Sequence, residues 1–368
     1  MPTIIFYIFI GIIIVQLAYY LGIFGKFIFA GPQQVVQKKL PVSVIVLIKN
    51  NEEQVKKLIP LLVSQNYPDF ELVLIDNASS DDTLDILEQF ELQYPNIKLV
   101  KVENNEAFWG NKKYALTLGI KAARKEYLLF TDADFTPASA DWIMHMASQF
   151  TMSKTIILGY SKYSLVKNSV LNKLIRFDAL INATQRFAWA KAGFPFSGDG
   201  RNLAYKKEEF FKRNGYINHM NIRTGEDALF INEVADGKNT AICFTPESFT
   251  EGQAPATFKS WVLEKRKAAY TMSFFKSADQ AKLKIFVWLQ ALFFIIMGVL
   301  IAVQFNWMIL VPVIVFRYLA CWVLLAQSAA KLNEKDTVYW FPFMELMLIF
   351  TQLYVFAVNL FSRKEYWQ

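Results

Sequence analysis

The stretch LLFTDADFTP, Leu128–Pro137, sets Leu128, Leu129 and Phe130 directly before two aspartates separated by one alanine. A short apolar run of this kind reads as a buried strand, so Asp132 and Asp134 stand where that strand leaves the core. Working upstream, PVSVIVLI from Pro41 reads as a first strand. The following KNNEEQVKKLIPLLVSQ carries Val55, Leu58, Ile59, Leu62 and Val63 at helical spacing. FELVLIDNASSDDTLDILEQF then reads as strand, polar turn and amphipathic helix; NIKLVKV as a third strand; KKYALTLGIKAA as a third helix; and EYLLFTDAD as a fourth strand. Strands alternating with helices predict right-handed crossovers, and hence an α/β fold with a mostly parallel sheet covered on both faces. Ligands of such sheets lie beyond the carboxyl ends of the strands. Those ends carry Lys49 and Asn51, then Asp76, then Asp132 and Asp134, so three carboxylates are expected along one sheet edge.

The rest of the chain is of another kind. Hydrophobic residues make up 54% of it, and 39 Lys+Arg against 32 Asp+Glu leave a net charge of +7. The apolar excess sits at the ends. Thr3–Phe24 is 22 residues without a charge, Ile285–Phe316 is a further 32 interrupted at QFNW (Gln304–Trp307), and Val338–Phe361 carries only Glu345. A spanning helix needs roughly 20 apolar residues, so the pattern predicts a retained N-terminal anchor (1–25), and two helices plus a last segment at 285–361. Lys26, Lys38 and Lys39 follow the first span, and Lys276, Lys282 and Lys284 precede the second. By the bias of basic loops, the segment between them faces the cytoplasm, giving a multi-pass protein of the inner membrane. Four full spans would put Arg363 and Lys364 outside, against that bias, and the last segment is then expected to be re-entrant or interfacial. The positive charges stand beside apolar runs, which points to lipid rather than nucleic acid. Two cysteines and two histidines exclude a disulfide framework and a histidine-rich zinc site, leaving carboxylates to hold any metal.

A D-x-D at a strand end suits a particular partner. A nucleotide diphosphate brings negative charge that Mg²⁺ or Mn²⁺ neutralises when one or two protein carboxylates and the phosphate oxygens share the ion. Asp76 in IDNASSDDT could instead cap the next helix, but Ser79, Ser80 and Asp81 offer caps of their own.

From Val42 to Tyr270 the chain resembles the family 2 inverting glycosyltransferases of GT-A fold, specifically the membrane-bound members of bacterial envelope polysaccharide pathways. The resemblance rests on VSVIVLIKNNEE, ELVLIDNASSDDT, GNKKYALTLGIKAA, LLFTDADFTP, FSGDGRNLAYKKEEFFKRNGY and TGEDALF in that order. It implies a catalytic domain over 40–255 and a nucleotide-sugar donor bound by Asp76, Asp132, Lys49 and Lys112. Asp134 would be the direct metal ligand, with Asp132 near ribose and ion. Lys113 is the alternative to Lys112 as the lysine facing the donor phosphates. Gly198, Gly200, Arg201 and Asn202 of SGDGRNLAY look like an acceptor-facing loop. Asp227, beside Glu226 in TGED, resembles the general base.

Processive members carry Q-x-x-R-W after the base. Here Glu264, Lys267 and Ala268 stand in those places, which favours transfer of one or a few sugars to a lipid-linked or membrane-proximal glycan acceptor over polysaccharide extrusion. A metal-dependent nucleotidyltransferase and a non-catalytic scaffold are the other classes compatible with the fold. The segment 256–284, where Trp261, Lys265, Arg266 and Lys267 interleave aromatic and basic groups, reads as an interfacial helix on membrane lipids. Arg317, inside an apolar run, requires a counterion; Glu345 or a lipid phosphate is expected to supply it.

Overall fold

The structure, a computed structural model, describes residues 2–103 and 112–361. Helix α1 (Pro2–Tyr19) continues through a π-helical turn, Tyr20–Phe24, into α2 (Gly25–Ile28). Then come β1 (Val42–Ile48), α3 (Glu52–Val63), β2 (Phe70–Asp76), α4 (Thr83–Gln93), β3 (Ile97–Lys101), α5 (Lys112–Ala122) and β4 (Tyr127–Asp132). A less regular stretch follows: β5 (Phe135–Pro137), α6 (Trp142–Ser148), β6 (Ile156–Leu158), β7 (Ser161–Tyr163), α7 (Val170–Lys191), β8 (Leu203–Lys206), α8 (Lys207–Lys212), α9 (Glu226–Val234), β9 (Thr240–Ile242) and β10 (Thr250–Gly252). The chain ends in α10 (Phe258–Met272), α11 (Ser277–Ala302), α12 (Trp307–Lys331) and α13 (Phe341–Phe361). It divides into two compact units: among the described residues, one holds 32–103, 112–166 and 193–255, the other 2–31, 167–192 and 256–361.

In the first unit the sheet runs β3-β2-β1-β4-β8-β6-β9, with β1 to β4 parallel and β8 antiparallel to both β4 and β6. This is the mostly parallel α/β sheet of the GT-A fold. Its central strands β1, β2 and β4 are largely apolar because both faces are covered. Val44, Val46 and Ile48 of β1 meet Leu72 and Leu74 of β2, and Val55, Leu58, Ile59 and Leu62 of α3 close over them. A second sheet, β5-β10-β7, stands by the end of β4 and is begun by the chain that leaves Asp134.

The second unit holds four helical stretches long and apolar enough to cross a membrane: Pro2–Ile28, Ser277–Ala302, Trp307–Lys331 and Phe341–Phe361. Three expected boundaries shift. The first helix runs to Ile28 rather than 25, and α11 begins at Ser277, so the division at 284/285 falls inside a helix. Residues 167–192, expected within the catalytic domain, belong to the helical unit. There α7 is bound by Arg176 to Asp336 (Nη1 to Oδ2, 2.7 Å) and by Asp178 to Lys265.

Within α10 most of the groups expected at the interface also have partners inside the protein. Trp261 is 2% exposed and packs on Phe258, Lys265 donates to both oxygens of Asp178 at 2.7 and 2.8 Å, and Arg266 Nε donates to Asn359 Oδ1 at 2.9 Å. Three of the four groups thus serve the protein's own packing, and Lys267 alone of them is exposed. Arg317 does pair with Glu345 (Nη1 to Oε2 2.5 Å, Nη2 to Oε1 2.7 Å), and its Nε and Nη2 also donate to Gln16 and Gln290 at 3.0 and 2.9 Å.

Candidate active site

The register of the large sheet brings the strand-end carboxylates together. Ile48 pairs with Asp76 on one side of β1, and Leu47 with Asp132 on the other, so the two flank the end of β1 about 10 Å apart, two strand spacings. Past Ile48 the backbone turns at Asn50 in the left-handed region (φ 52°), and the next loop does the same at Ala78 (φ 53°). Such residues persist only where surrounding bonds fix them. Here Asn50 Oδ1 accepts from Ser80 N at 2.8 Å, Asn51 N donates to Thr83 Oγ1 at 2.9 Å, and Asn51 Nδ2 donates to Asp134 Oδ1 at 3.1 Å. The loops after β1, β2 and β4 are thereby tied to one another.

Asp76 is 2% exposed. Its Oδ2 accepts from Ser79 N at 3.3 Å, while Oδ1 has no partner among the described residues. A buried acceptor left bare costs about 1–3 kcal/mol, and here it faces the edge where the fold places ligands.

The second half of the site comes from the segment 197–202 and from α9. Gly225, at φ 73°, turns the chain immediately before Glu226 and Asp227, which occupy the first turn of α9. Asp227 Oδ2 accepts from Gly200 N, and Oδ1 from Ala228 N at 2.8 Å. A Cβ on Gly200 would lie 3.2 Å from Asp227 Oδ2, so the glycine is what admits the carboxylate. Burial, reinforced by the charges of Glu226 and Asp199, pushes the Asp227 carboxyl up to about 6 against the pull of these two backbone donors. Burial also raises Asp132 to about 6; Lys112 and Arg201 pull it down, Glu226 and Asp199 push it up. Asp132, Gly200, Glu226 and Asp227 line one cleft, with Tyr205 and Tyr216 on its walls.

The lysines and the arginine divide the work. Lys112 is half exposed, its Nζ 3.9 Å from Glu226 Oε1. Burial lowers its ammonium, but Glu226, Asp132, Asp227 and Asp134 together outweigh burial and raise it. Lys113 is fully buried and donates to the carbonyls of Ile222 and Thr224, the latter at 3.0 Å, holding the chain that leads into α9. Its ammonium is lowered to about 8, chiefly by burial. Arg201 grips Asp199 with two bonds of 2.8 Å, donates to Tyr163 at 2.8 Å, and lies over the Phe135 ring at 4.8 Å. Lys49 is exposed just past β1.

Three members of the expected acceptor loop do other work. Asn202 is 0% exposed: Nδ2 donates to Tyr160 O at 2.9 Å and Ser248 O at 2.7 Å, and Oδ1 accepts from Trp142 Nε1 at 3.1 Å. Both amide protons are used in the core, so Asn202 is not a ligand contact. Gly198 is a packing glycine, whose Cβ would meet Ile231 Cγ1 at 2.8 Å, and Gly200 approaches Asp227 rather than a ligand. Sequence reasoning also passed over Asp199, the partner of Arg201 and a charge acting on both Asp132 and Asp227. An acid between two glycines in SGDGRN was the available signal.

The family described as glycosyl transferase family 2 matches residues 43–211 of the chain. Among curated relatives, the poly(ribitol-phosphate) beta-glucosyltransferase of Bacillus spizizenii is 31% identical over 97 residues, 26% of this chain and 15% of that protein. The poly-beta-1,6-N-acetyl-D-glucosamine synthase of Staphylococcus epidermidis is 29% identical over 39% of this chain and 34% of its own length. The chain thus spans about a third or less of the length of these relatives. Among solved structures, mannosyltransferase PcManGT from Pyrobaculum calidifontis, in complex with GDP-Man and Mn²⁺, matches with a TM-score of 0.60 at 16% identity, over 96% of this chain and 99% of that one. That likeness is one of fold.

Proposed function

We propose that the chain transfers a single sugar from a nucleotide diphosphate donor of the UDP class to a membrane-associated, lipid-linked acceptor, by one in-line displacement that inverts the anomeric centre. The observation that carries this reading is the meeting of Asp132, Glu226 and Asp227 in one cleft, with Asp76 keeping a bare buried oxygen at the neighbouring strand end. That oxygen suits an N–H of the donor base. Lys112, and Lys49 beside β1, offer positive charge to the diphosphate. Asp227 accepts the proton of the acceptor hydroxyl as its oxygen bonds to the anomeric carbon and the bond to the phosphate oxygen breaks; a carboxylate near 6 is well matched to that task at neutral pH.

The residues present fit a hard divalent cation, Mg²⁺ or Mn²⁺. Asp132, in a cleft made acidic by Glu226 and Asp199, and the exposed Asp134 two residues on offer only oxygen donors. No three His, Cys, Asp or Glu groups among the described residues gather closely enough to hold an ion unaided, which leaves positions for phosphate oxygens. Bound by Asp134 and Asp132, such an ion would offset the charge of the departing diphosphate.

The names of the curated relatives, a glucosyltransferase and a poly-N-acetylglucosamine synthase, support sugar transfer in envelope chemistry. Glu264, Lys267 and Ala268, in place of the processive pattern, support release after one addition. The catalytic unit is assigned to the cytoplasmic side of the inner membrane by the lysines flanking the spans.

The roles are separated by binding UDP-sugars and GDP-sugars, with and without Mn²⁺, to the purified full chain and to two variants. Asp134→Ala is expected to lose the Mn²⁺-dependent part of donor binding, and Asp227→Asn to keep it while losing turnover. Equal donor affinity in the two variants contradicts the assignment.

A further inference from the structure

Helices α1, α11 and α12 form a bundle whose ends are fixed by its contacts. Phe6 stacks on Phe305 at 4.7 Å, Phe9 on Phe293 at 5.3 Å, and Phe24 lies 5.5 Å from Phe286, so α11 runs antiparallel to α1. Arg317 Nε donates to Gln16 Oε1, and Lys331 Nζ to Ala30 O, so α12 runs parallel to α1. One end of the bundle therefore holds Phe305 and Trp307; the other holds Ile28, Ser277 and Lys331. Helix α7 belongs to the second end. Its Trp189 Nε1 donates to Tyr19 OH at 3.1 Å and lies under Lys282, its Phe187 meets Phe27 at 5.3 Å, and its Thr184 bonds Ser328 at 2.5 Å.

Two contacts carry that position over to α13. Lys265 of α10 is clamped to Asp178 of α7. The next residue, Arg266, bonds Asn359 near the end of α13, and Phe258 lies 6.1 Å from Tyr354. The beginning of α13 is anchored inside the bundle, where Glu345 meets Arg317.

From these contacts we infer that α13 does not cross the bilayer: with α10 along it, it lies in the headgroup layer of one leaflet, and the chain returns to the side on which α1 ends and α11 begins. The lengths exclude the alternative. From Glu345 to Asn359 a helix rises about 21 Å, whereas Arg317 to Trp307 is about 15 Å. A crossing α13 would carry Asn359 beyond the Phe305 end, far from Arg266. Moving α10 there as well would bury Lys259, Lys265, Arg266 and Lys267 in hydrocarbon, at a cost of several kcal/mol. In the inferred placement the exposed Phe350, Leu353, Phe356 and Leu360 of α13 enter the acyl boundary, and the exposed Lys259 and Lys267 of α10 reach toward anionic headgroups.

The test is thiol labelling of the full chain in intact cells with a membrane-impermeant maleimide. Cys243 and Cys321 are buried, and the unsubstituted chain serves as the blank. Val303→Cys reports the α11–α12 turn and Gln368→Cys the chain end, both scored against labelling after permeabilisation. The expected result is that one of the two reacts in intact cells and the other only after permeabilisation. Identical behaviour of the two places them on one side, which is what four full spans require, and overturns the inference.

Discussion

Asp227→Asn probes the chemical step directly, because it removes the proposed base while keeping the side-chain volume and an acceptor oxygen for one of the two bonds from Gly200 N and Ala228 N. General-base catalysis contributes about 10²–10⁴ in rate, so kcat is expected to fall by that factor, equivalent to about 3–5 kcal/mol of transition-state stabilisation. The pH dependence sharpens the test. With its carboxyl at about 6, Asp227 is about nine-tenths ionised at pH 7 and about one-tenth at pH 5. The base form is lost as pH falls, and kcat at saturating donor should drop close to tenfold over that interval. An aspartate at the ordinary value near 3.9 would lose less than about a tenth of its base form over the same range. Released nucleoside diphosphate, measured from pH 5 to 8, gives both curves. The wild-type chain should show the limb near pH 6, and the variant a low rate without it. A wild-type kcat that stays flat to pH 5, or a variant that keeps the limb, refutes the assignment of the base to Asp227.

Asp132→Asn should raise the melting temperature of the ligand-free protein at pH 7 while abolishing turnover. A carboxyl raised from about 3.9 unfolded to about 6 folded binds more protons in the folded state, so it costs stability once pH passes upward through that window, by about 1–3 kcal/mol at pH 7. The wild-type chain should accordingly melt higher at pH 5 than at pH 7, and the variant should show less of this difference. Gly200→Ala places a methyl 3.2 Å from Asp227 Oδ2; displacing the carboxylate by a few tenths of an ångström should lower kcat about tenfold with donor affinity held, as read by steady-state rates and donor titration.

The fold was legible wherever a local pattern has one physical solution. Strands buried on both faces need unbroken apolar runs, and VSVIVLI, FELVLID and YLLFTD have them; the helices between them carry periodic apolar faces. The break at Gln304–Trp307 was legible because a bilayer limits helix length, and α11 does end at Ala302 with α12 starting at Trp307. The fate of α7 was not. The helix falls within the bounds expected for the catalytic domain, and its placement is decided by Asp336 and Lys265, remote residues whose pairing with Arg176 and Asp178 no local period announces.

The same distinction separates Arg317 from Asn202. A guanidinium within an apolar span must find an anion, and the last segment contains one acid, so the pairing with Glu345 followed from the cost of leaving the charge bare. Asn202 carries no such obligation. An amide beside an arginine and a glycine can turn toward a ligand or into the core at similar cost, provided its donors and acceptor are met. Trp142 Nε1 and the carbonyls of Tyr160 and Ser248 meet them in the core, and those three groups come from separate parts of the fold. Arg201 remains at the site because Asp199, the residue that motif reading passed over, holds its fork against β5 and β7. The acidic charge of Asp199 then reaches Asp132 and Asp227, and so the cleft owes part of its electrostatic character to a side chain whose hydrogen bonds are spent on its neighbour.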